Sequence, residues 1–241
     1  RRMDHATQVD VITRWLAMHR AGVTQLAPDV LELDTSVYTS PDWFAAERRA
    51  LFLERPSVAC LTAEVRDPGA FVTLECGGVP LVVVRGDDGV LRAFVNACRH
   101  RATQVVHGCG TAKHFACPFH NWTYARDGRL LGRPHSQGGF DAIPLETSGL
   151  VPVPVAEGHG VVLVRPGGGA PIDVDTELGP EIARDLDALG VAAHHVWGRV
   201  ERVWQANWKL ILDTFTESYH VFALHGASVG PDYPGHVMVF D

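Results

Sequence analysis

Two short motifs, each pairing one cysteine with one histidine, constrain the fold of this chain more than any other feature. Cys98-Arg99-His100 is followed, after sixteen residues, by Cys117-Pro118-Phe119-His120. Both motifs lie between segments with strand patterns, so we expect two loops that a hairpin scaffold brings together at its tips. Two thiolates and two imidazoles in neighbouring loops predict a metal site.

The four side chains suit two kinds of metal centre. A Cys2His2 set can hold a structural zinc ion tetrahedrally, although zinc-finger pairs usually group Cys with Cys and His with His. The mixed pairs, Cys-x-His and Cys-x-x-His, suit a [2Fe–2S] cluster in which two cysteines bind one iron and two histidines bind the other. The spacing favours the cluster, with zinc as the alternative.

With the continuation Asn121-Trp122, these motifs resemble the Rieske family. Respiratory Rieske proteins carry two further, disulfide-bonded cysteines in the same loops, where this sequence has Thr103 and Phe119. The chain is therefore similar to the oxygenase or ferredoxin type, and fewer donors around the sulfurs predict a potential in the lower part of the Rieske range. The resemblance implies four ligands for a [2Fe–2S] Rieske cluster: Cys98, His100, Cys117 and His120.

The stretch from Asn207 to about Leu224 has the strongest helical pattern in the chain. On a helix, Asp213, Glu217 and His220 share one face, and apolar residues lie opposite. His225 points roughly 140° away from His220 on an unbroken helix, so a shared metal requires the helix to end or bulge between them. Taken alone, this pattern favours an ordinary amphipathic helix whose acids face water.

Together, the two regions resemble the Rieske non-haem iron oxygenases, the α-subunits of ring-hydroxylating systems, over about residues 40–225. The second motif begins Asn-Trp-Lys and ends acid-x-x-His-x-x-x-x-His. The resemblance implies that His220 and His225 bind a mononuclear Fe(II) as part of a 2-His-1-carboxylate triad. Glu217 takes the place of the acid that links the iron ligand to a cluster histidine of a neighbouring subunit. Asp213 is a candidate supporting group behind the ligands.

The third iron ligand implied by the resemblance is an Asp well over a hundred residues beyond the histidine pair. Asp232 and Asp241, the nearest candidates, lie at the wrong distance. We therefore expect the sequence to be the N-terminal portion of a longer protein. The substrate pocket is expected to lie largely in the remaining portion.

The resemblance implies a multicomponent oxygenase that uses O2 and NAD(P)H-derived electrons to hydroxylate or oxidatively demethylate an aromatic or related small organic substrate. No G-x-G-x-x-G motif follows a strand, so we expect a separate reductase, with or without a ferredoxin, to bind the nicotinamide. The expected assembly is a homotrimer or an α3β3 complex. The alternatives are a Rieske ferredoxin, which carries electrons without a second iron, and, more distantly, a zinc-stabilised binding module.

The pattern of strands and helices predicts an α+β fold in three parts. Residues 1–39 are a helical segment, and 40–165 are an all-β Rieske domain whose antiparallel hairpins carry the cluster. Residues 166–241 begin an α+β, helix-grip-like catalytic domain. Within these parts, a helix is expected from Ser40 to about Glu54, and a strand at Val200 to Trp204.

Composition argues against several classes. The chain has 21 basic and 28 acidic residues, a net charge of -7, whereas a nucleic-acid binder usually carries a basic surface. No apolar run approaches the roughly 18 residues that span a bilayer, and the first residues of the sequence do not have the pattern of a secretory signal, so a cytoplasmic protein is expected. Five cysteines are too few for a disulfide-stapled secreted domain. Cys60, Cys76 and Cys109 are predicted to be structural thiols.

Overall fold

The computed structural model describes residues 4–23, 29–140, 142–217 and 219–229. The backbone forms two compact units, one comprising Ala45–Val200 and the other comprising Arg1–Phe44 together with Glu201–Asp241. No helix within the described ranges has the length and apolar character needed to cross a membrane. The domain boundaries predicted near residues 39 and 165 stay predictions.

The N-terminal segment is helical, as expected. Helix α1 (His5–Ala21) begins at Asp4, whose side chain accepts a hydrogen bond from the backbone N–H of Thr7, and ends at Gly22 in the left-handed conformation. Two short helices follow, α2 (Ser36–Thr39) and α3 (Pro41–Glu47), and a π-helical turn spans Arg48–Leu53. The helix predicted from Ser40 to about Glu54 is thus present as an α-helix that passes into a wider turn.

Three antiparallel sheets form the larger unit, and they confirm the predicted all-β part with its hairpins. The strands, in chain order, are β1 (Ser57–Leu61), β2 (Ala70–Cys76), β3 (Val79–Arg85), β4 (Leu91–Val95), β5 (Cys109–Thr111), β6 (Phe115–Ala116), β7 (Thr123–Tyr124), β8 (Leu130–Gly132), β9 (Pro152–Val153), β10 (Val155–Gly158) and β11 (Val161–Val164).

The central sheet, ordered β5-β2-β3-β4-β9, separates two hydrophobic cores. Its middle strand β3 is buried on both faces, which explains the unbroken apolar run Leu81–Val84. Val82 and Val84 point into a core that the central sheet shares with the small sheet β6-β7-β8. Cys98 and Cys117 belong to this core. The alternate residues of β3 face the core beneath the sheet β1-β11-β10. The first of these cores supports the cysteine and histidine loops.

A buried ion pair connects the central sheet to the sheet β1-β11-β10. The Arg85 guanidinium donates to both carboxylate oxygens of Glu157, at 2.6 and 2.7 Å. Its Nε also donates to the carbonyl oxygen of Val65 at 2.9 Å. The hydrogen bonds from Arg85 lower the pKa of the Glu157 carboxyl.

Helix α4 (Val174–Leu189) follows the last strand and is interrupted at Gly179, whose φ of 74° is outside the helical region. The predicted helix from Glu181 to Leu189 is its second half. His159, in the turn between β10 and β11, contacts both halves through Asp175 Oδ1 at 2.8 Å and Asp187 Oδ1 at 2.8 Å.

The C-terminal part of the smaller unit differs from the sequence prediction in two ways. Residues 200–204 have no regular structure, so the predicted strand is wrong. A strand is stabilised by pairing, and no described strand pairs with this segment. The predicted continuous helix is two helices, α5 (Trp208–Thr216) and α6 (Tyr219–Leu224), because Glu217 is extended.

The interruption at Glu217 has a local cause. Thr214 and Thr216 donate their hydroxyls to the carbonyl oxygens four residues earlier, at 2.8 and 3.1 Å, a pattern that weakens and bends helices. Glu217 then accepts a hydrogen bond from the backbone N–H of His220 at 3.2 Å, which satisfies one of the free donors at the start of α6. The acid of the second motif therefore lies at a helix junction.

Candidate metal centres

The two cysteine loops of the larger unit have the same backbone architecture. In the first, the N–H of Cys98 donates to the carbonyl of Thr103 and the N–H of Ala102 donates to the carbonyl of Cys98, both at 2.8 Å. In the second, the N–H of Cys117 donates to the carbonyl of Trp122 and the N–H of Asn121 donates to the carbonyl of Cys117, again at 2.8 Å. The residue four beyond each cysteine has a positive φ, 61° at Ala102 and 58° at Asn121. This internal correspondence was not visible in the sequence spacing.

The imidazoles of His100 and His120 face each other. Their Nδ1 atoms are 3.1 Å apart. Two imidazole nitrogens bound to one metal ion at about 2.1 Å lie roughly 3 to 3.4 Å apart, so this distance is compatible with the predicted ligand pair, which stays a prediction. Burial, followed by the proximity of His120, lowers the pKa of His100 and favours the neutral form that binds metal.

The thiols lie on the inner side of the same site. Cys98 and Cys117 are 4% and 3% exposed and share one hydrophobic core, whereas His120 is exposed. Across the described ranges, no three His, Cys, Asp or Glu side chains converge as ligands of a single ion. A [2Fe–2S] cluster takes only two protein ligands on each iron, and two thiols and two imidazoles are present at this site. The residues present therefore fit a Rieske cluster.

Two polar residues supporting this site were missed by sequence reasoning. The Tyr124 hydroxyl accepts a hydrogen bond from the backbone N–H of Arg99 at 2.9 Å, which leaves its own proton free to donate to Cys98 Sγ at 3.2 Å. Buried Asn96 accepts from the N–H of Val105 at 2.9 Å and donates to the carbonyl of Val106 at 2.8 Å, which closes the first loop. The position of Tyr124 seven residues after Cys117, in a strand, was the available signal.

The second centre lies around helix α6 in the smaller unit. The rings of His220 and His225 are 5.5 Å apart between centroids and inclined at 71°. Helix α6 ends at Leu224, so the predicted helix end between the two histidines is present. Glu217 Oε1 is 2.5 Å from His220 Nδ1, and hydrogen bonds from His220 lower the pKa of the Glu217 carboxyl.

Asp213 has a different neighbour from the one expected. Its Oδ2 accepts a hydrogen bond from the Tyr38 hydroxyl at 2.9 Å, and the Asn207 side chain donates to the Tyr38 carbonyl at 2.9 Å. The hydrogen bond to Asp213 raises the pKa of Tyr38. The structure thus pairs Asp213 with α2, and its predicted role behind the iron ligands stays a prediction.

The remaining cysteines divide into two kinds. Cys60 and Cys76 are buried thiols, and burial raises the pKa of Cys60 to about 12. Cys109 is exposed in strand β5, so burial does not support its prediction as a structural thiol. All five cysteines of the chain are free thiols, in keeping with a Rieske site that lacks the respiratory disulfide.

Two family models match this chain, one over each of the two regions that carry the candidate sites. Residues 55–152 match the Rieske [2Fe-2S] domain, and residues 189–239 match the catalytic domain of the ring hydroxylating alpha subunit. The chain belongs to the Rieske non-haem iron oxygenases. A Rieske ferredoxin would not account for the second match. The family uses a [2Fe–2S] cluster and a mononuclear iron, and the side chains described above fit both.

Several relatives are named for their substrates. The chain is 36% identical to the glycine betaine monooxygenase oxygenase subunit of Chromohalobacter salexigens, over 78% of this chain and 42% of that protein. It is 34% identical to the carnitine monooxygenase oxygenase subunit of Acinetobacter pittii, over 82% of this chain and 51% of the relative. The chain therefore spans about half the length of the curated relatives it matches.

Solved structures show the same likeness. An inhibitor complex of a quaternary ammonium Rieske monooxygenase superimposes with a TM-score of 0.75 at 30% identity, covering 86% of this chain and 60% of that one. Naphthalene 1,2-dioxygenase with indole bound gives a TM-score of 0.68 at 28% identity, covering 78% and 43%. The fold expected from the sequence, mixed helix and antiparallel sheet, is confirmed.

Proposed function

We propose that the full protein is the oxygenase component of a multicomponent system. One atom of O2 enters a C–H bond of a small organic substrate and the other leaves as water, while NAD(P)H supplies two electrons through a separate reductase. The observation that carries this proposal is the presence of both histidine pairs on one chain. His100 and His120 are 3.1 Å apart at Nδ1, and the rings of His220 and His225 are 5.5 Å apart.

When bound, the cluster supplies electrons one at a time, and Fe(II) with open positions supplies binding and reduction of O2. The chain's own contribution at the second centre begins with Glu217. As a carboxylate 2.5 Å from His220 Nδ1, it holds the imidazole proton on that nitrogen. The lone pair on His220 Nε2 is then free to face the metal.

Glu217 also has the exposure needed for its proposed role between subunits. Its side chain is 44% exposed, so a second group can reach the carboxylate. We propose that this group is a cluster histidine of a neighbouring subunit, in a trimer with or without a β-subunit. The name of one solved relative, a quaternary ammonium Rieske monooxygenase, refers to inter-subunit electron transfer in that protein.

For the substrate, we propose a quaternary ammonium compound. Relatives are named for glycine betaine, carnitine and, in Spinacia oleracea, choline, the last at 30% identity. An aromatic substrate is the second candidate, because a 2-aminobenzenesulfonate 2,3-dioxygenase subunit is 32% identical. The aromatic catabolism expected from the sequence is therefore secondary, and the cytoplasmic location stays a prediction.

The test uses the full-length protein with a reductase, NADH and 18O2. Products from glycine betaine, carnitine, choline and 2-aminobenzenesulfonate are analysed by mass spectrometry. We expect 18O in the product of a quaternary ammonium substrate, with any aldehyde released by C–N cleavage reduced to its alcohol before its oxygen exchanges with water, together with three irons and two acid-labile sulfides per chain. Incorporation into the aromatic substrate alone would contradict the substrate class. Two irons per chain and no incorporation would contradict the oxygenase function itself.

A further inference from the structure

The two histidines of the cluster site have unequal surroundings. His120 is exposed. Its ring centroid lies 4.1 Å from that of Phe119, a side chain that is itself 58% exposed. His100 is half-buried and lies among aromatic side chains. The orientation of His120 therefore depends on its own loop, whereas His100 is held by side chains that lie outside the Cys98–His100 loop.

Two aromatic side chains, Trp122 and Phe140, contact the His100 ring. Trp122, which is 4% exposed, stacks on the imidazole with centroids 5.2 Å apart and planes inclined by 10°. Phe140 meets the same imidazole edge-on at 5.6 Å and 89°, and meets Trp122 edge-on at 5.5 Å and 84°. Edge-to-face and stacked contacts at these distances are attractive and directional. The orientation of the His100 ring is therefore tied to the positions of Trp122 and Phe140.

Phe140 lies on a surface loop, and Arg133 fixes that loop. Arg133 Nη2 donates to the carbonyl oxygen of Phe140 at 2.6 Å and to that of Ile143 at 2.5 Å. The guanidinium carbon also lies 5.7 Å from the ring centroid of Trp122 and 5.6 Å from that of Phe140. Both distances are within cation–π range. One side chain thus joins the loop backbone to the two rings that contact His100.

The surroundings of the Arg133 guanidinium and of His100 indicate that this arrangement limits access to the cluster site. The Arg133 guanidinium lies over the Trp122 and Phe140 rings at cation–π distances as well as donating to the loop backbone. Beside His100 there is a cavity of about 250 Å3, which Arg99, Ile143 and Ser148 help to line. Displacement of the loop would widen this cavity and admit water to the His100 side of the cluster.

We propose that Arg133 is a positioning residue for the Rieske cluster. Its hydrogen bonds to the carbonyl oxygens of Phe140 and Ile143 fix the backbone there, so that Trp122 and Phe140 hold the His100 imidazole with Nδ1 directed toward the iron it shares with His120. Groups behind a metal ligand set ligand orientation and solvent access, and their loss commonly weakens metal binding about 10- to 100-fold. The inference rests on the cluster proposed above, but it concerns a residue that neither motif includes.

The experiment compares R133M, R133K and a matched control, R129M, in the holoprotein. Arg129 carries the same charge four residues away, pairs with Asp127 at 2.7 Å and is 73% exposed. Two readouts are independent of turnover. One is the rate at which a chelator bleaches the visible absorption of the cluster, and the other is the pair of 14N couplings that pulsed electron paramagnetic resonance resolves for the two ligand imidazoles in the reduced state.

We expect R133M to bleach about 10-fold faster than wild type, with one of the two 14N couplings shifted or broadened. R133K keeps the charge but not the planar fork, so we expect it to follow R133M. R129M is expected to match wild type in both measurements. If R133M instead matches R129M in both, the clamp is disproved. If R133K retains wild-type behaviour, charge rather than clamping is responsible, which also overturns the proposal.

Phe140→Leu is a second variant that tests the same proposal if R133M does not fold. It removes the edge-on contact to His100 while leaving the Arg133 hydrogen bonds to backbone carbonyls intact, and we expect the same single altered 14N coupling. An unaltered coupling in this variant would contradict the role of the rings. A wild-type protein that shows no Rieske signal at all would contradict the cluster assignment, which separates that failure from a failure of the clamp alone.

Discussion

The two candidate centres differ in how much of their surroundings this chain provides. The cysteine and histidine loops are mounted on a sheet with buried residues on both faces, and their thiols are 4% and 3% exposed. Helices α5 and α6, which precede and carry His220, are largely uncovered within the described residues, with Phe215 84% and Tyr219 94% exposed. The cluster site is thus enclosed by the described residues, and the iron site is only half enclosed.

The difference in enclosure follows from what each kind of site requires of the chain. A cluster site needs two loops and a core beneath them, both of which come from a contiguous stretch of hairpins. A 2-His-1-carboxylate site needs a third ligand and a substrate pocket. Within the described residues, the two histidines are joined by no third ligand. We therefore expect variants of the second site to change turnover without changing the spectrum of the first.

Glu217→Gln is the variant with the largest expected effect. The amide cannot hold the His220 proton as the carboxylate does, and it cannot carry negative charge between subunits. We expect turnover of the full-length oxygenase to fall about 100-fold or more, while both metals remain bound. Product formation, iron content and the reduced-state spin signal would be measured on the same preparation.

Two further variants sharpen this test. His225→Ala removes a proposed ligand, so we expect it to lose turnover and mononuclear iron but to keep the Rieske signal. Glu201→Gln makes the same chemical change at an exposed residue and is expected to behave as wild type. Full activity in Glu217→Gln would disprove the role of that carboxylate, and a changed Rieske spectrum in His225→Ala would disprove the independence of the two sites.

The sequence predicted the larger unit well because its signals are local. Hairpin turns and alternating strands need only neighbouring residues to form, and the hairpins at Gly86–Gly89 and Asp127-Gly128 are where expected. The strand expected at residues 200–204 is wrong because an apolar run alone does not make a strand, and no described strand pairs with this segment. The helix break at Glu217 was missed because helical periodicity does not register hydroxyl-to-backbone bonds such as that of Thr214.

Within the candidate sites, the spacing of Cys and His residues predicts the ligands, and the structure brings the members of each histidine pair close together. It could not identify the supporting groups. Tyr124 contacts Cys98, 26 positions earlier, and Asn96 and Arg133 contact residues 9 and 7 positions away within irregular loops, where no helical or strand period applies. Asp213, placed beside the iron ligands by helical geometry, is paired with Tyr38 in a segment whose position no periodicity could give.

The burial of the Arg85–Glu157 ion pair, in the unit that carries the cysteine loops, can be tested by mutation. Glu157→Gln removes the charge that Arg85, with a side chain only 9% exposed, depends on. Breaking a buried pair costs about 3–5 kcal/mol, and because Glu157 is 32% exposed we expect about 2 kcal/mol. Asp88→Asn breaks the exposed pair with Arg92 and should cost under about 1 kcal/mol. Equal losses in urea unfolding would contradict the enclosure.

Tyr124→Phe tests a smaller effect at the cluster itself. A hydroxyl that donates to Cys98 Sγ stabilises the more negative, reduced cluster, so its removal should lower the reduction potential. A difference of about 1 kcal/mol between oxidation states corresponds to about 40 mV for a one-electron couple. Potentiometric titration would measure the shift. Tyr38→Phe, which removes the hydroxyl bonded to Asp213 in the other unit, should leave the potential unchanged.

The smallest expected effect concerns the imidazole that joins the two halves of α4. Hydrogen bonds from Asp187 and then Asp175 raise the pKa of His159. Its stabilisation is therefore fully present below the unfolded value of about 6.5 and is lost as pH rises through the higher folded value. His159→Asn keeps a residue that tolerates the positive φ of 53° but removes the charge. We expect the Tm difference from wild type to be largest near pH 5.5 and to shrink toward pH 9. His195→Asn, at an exposed position, should show no such trend, and a difference that grows with pH would contradict the charged contact.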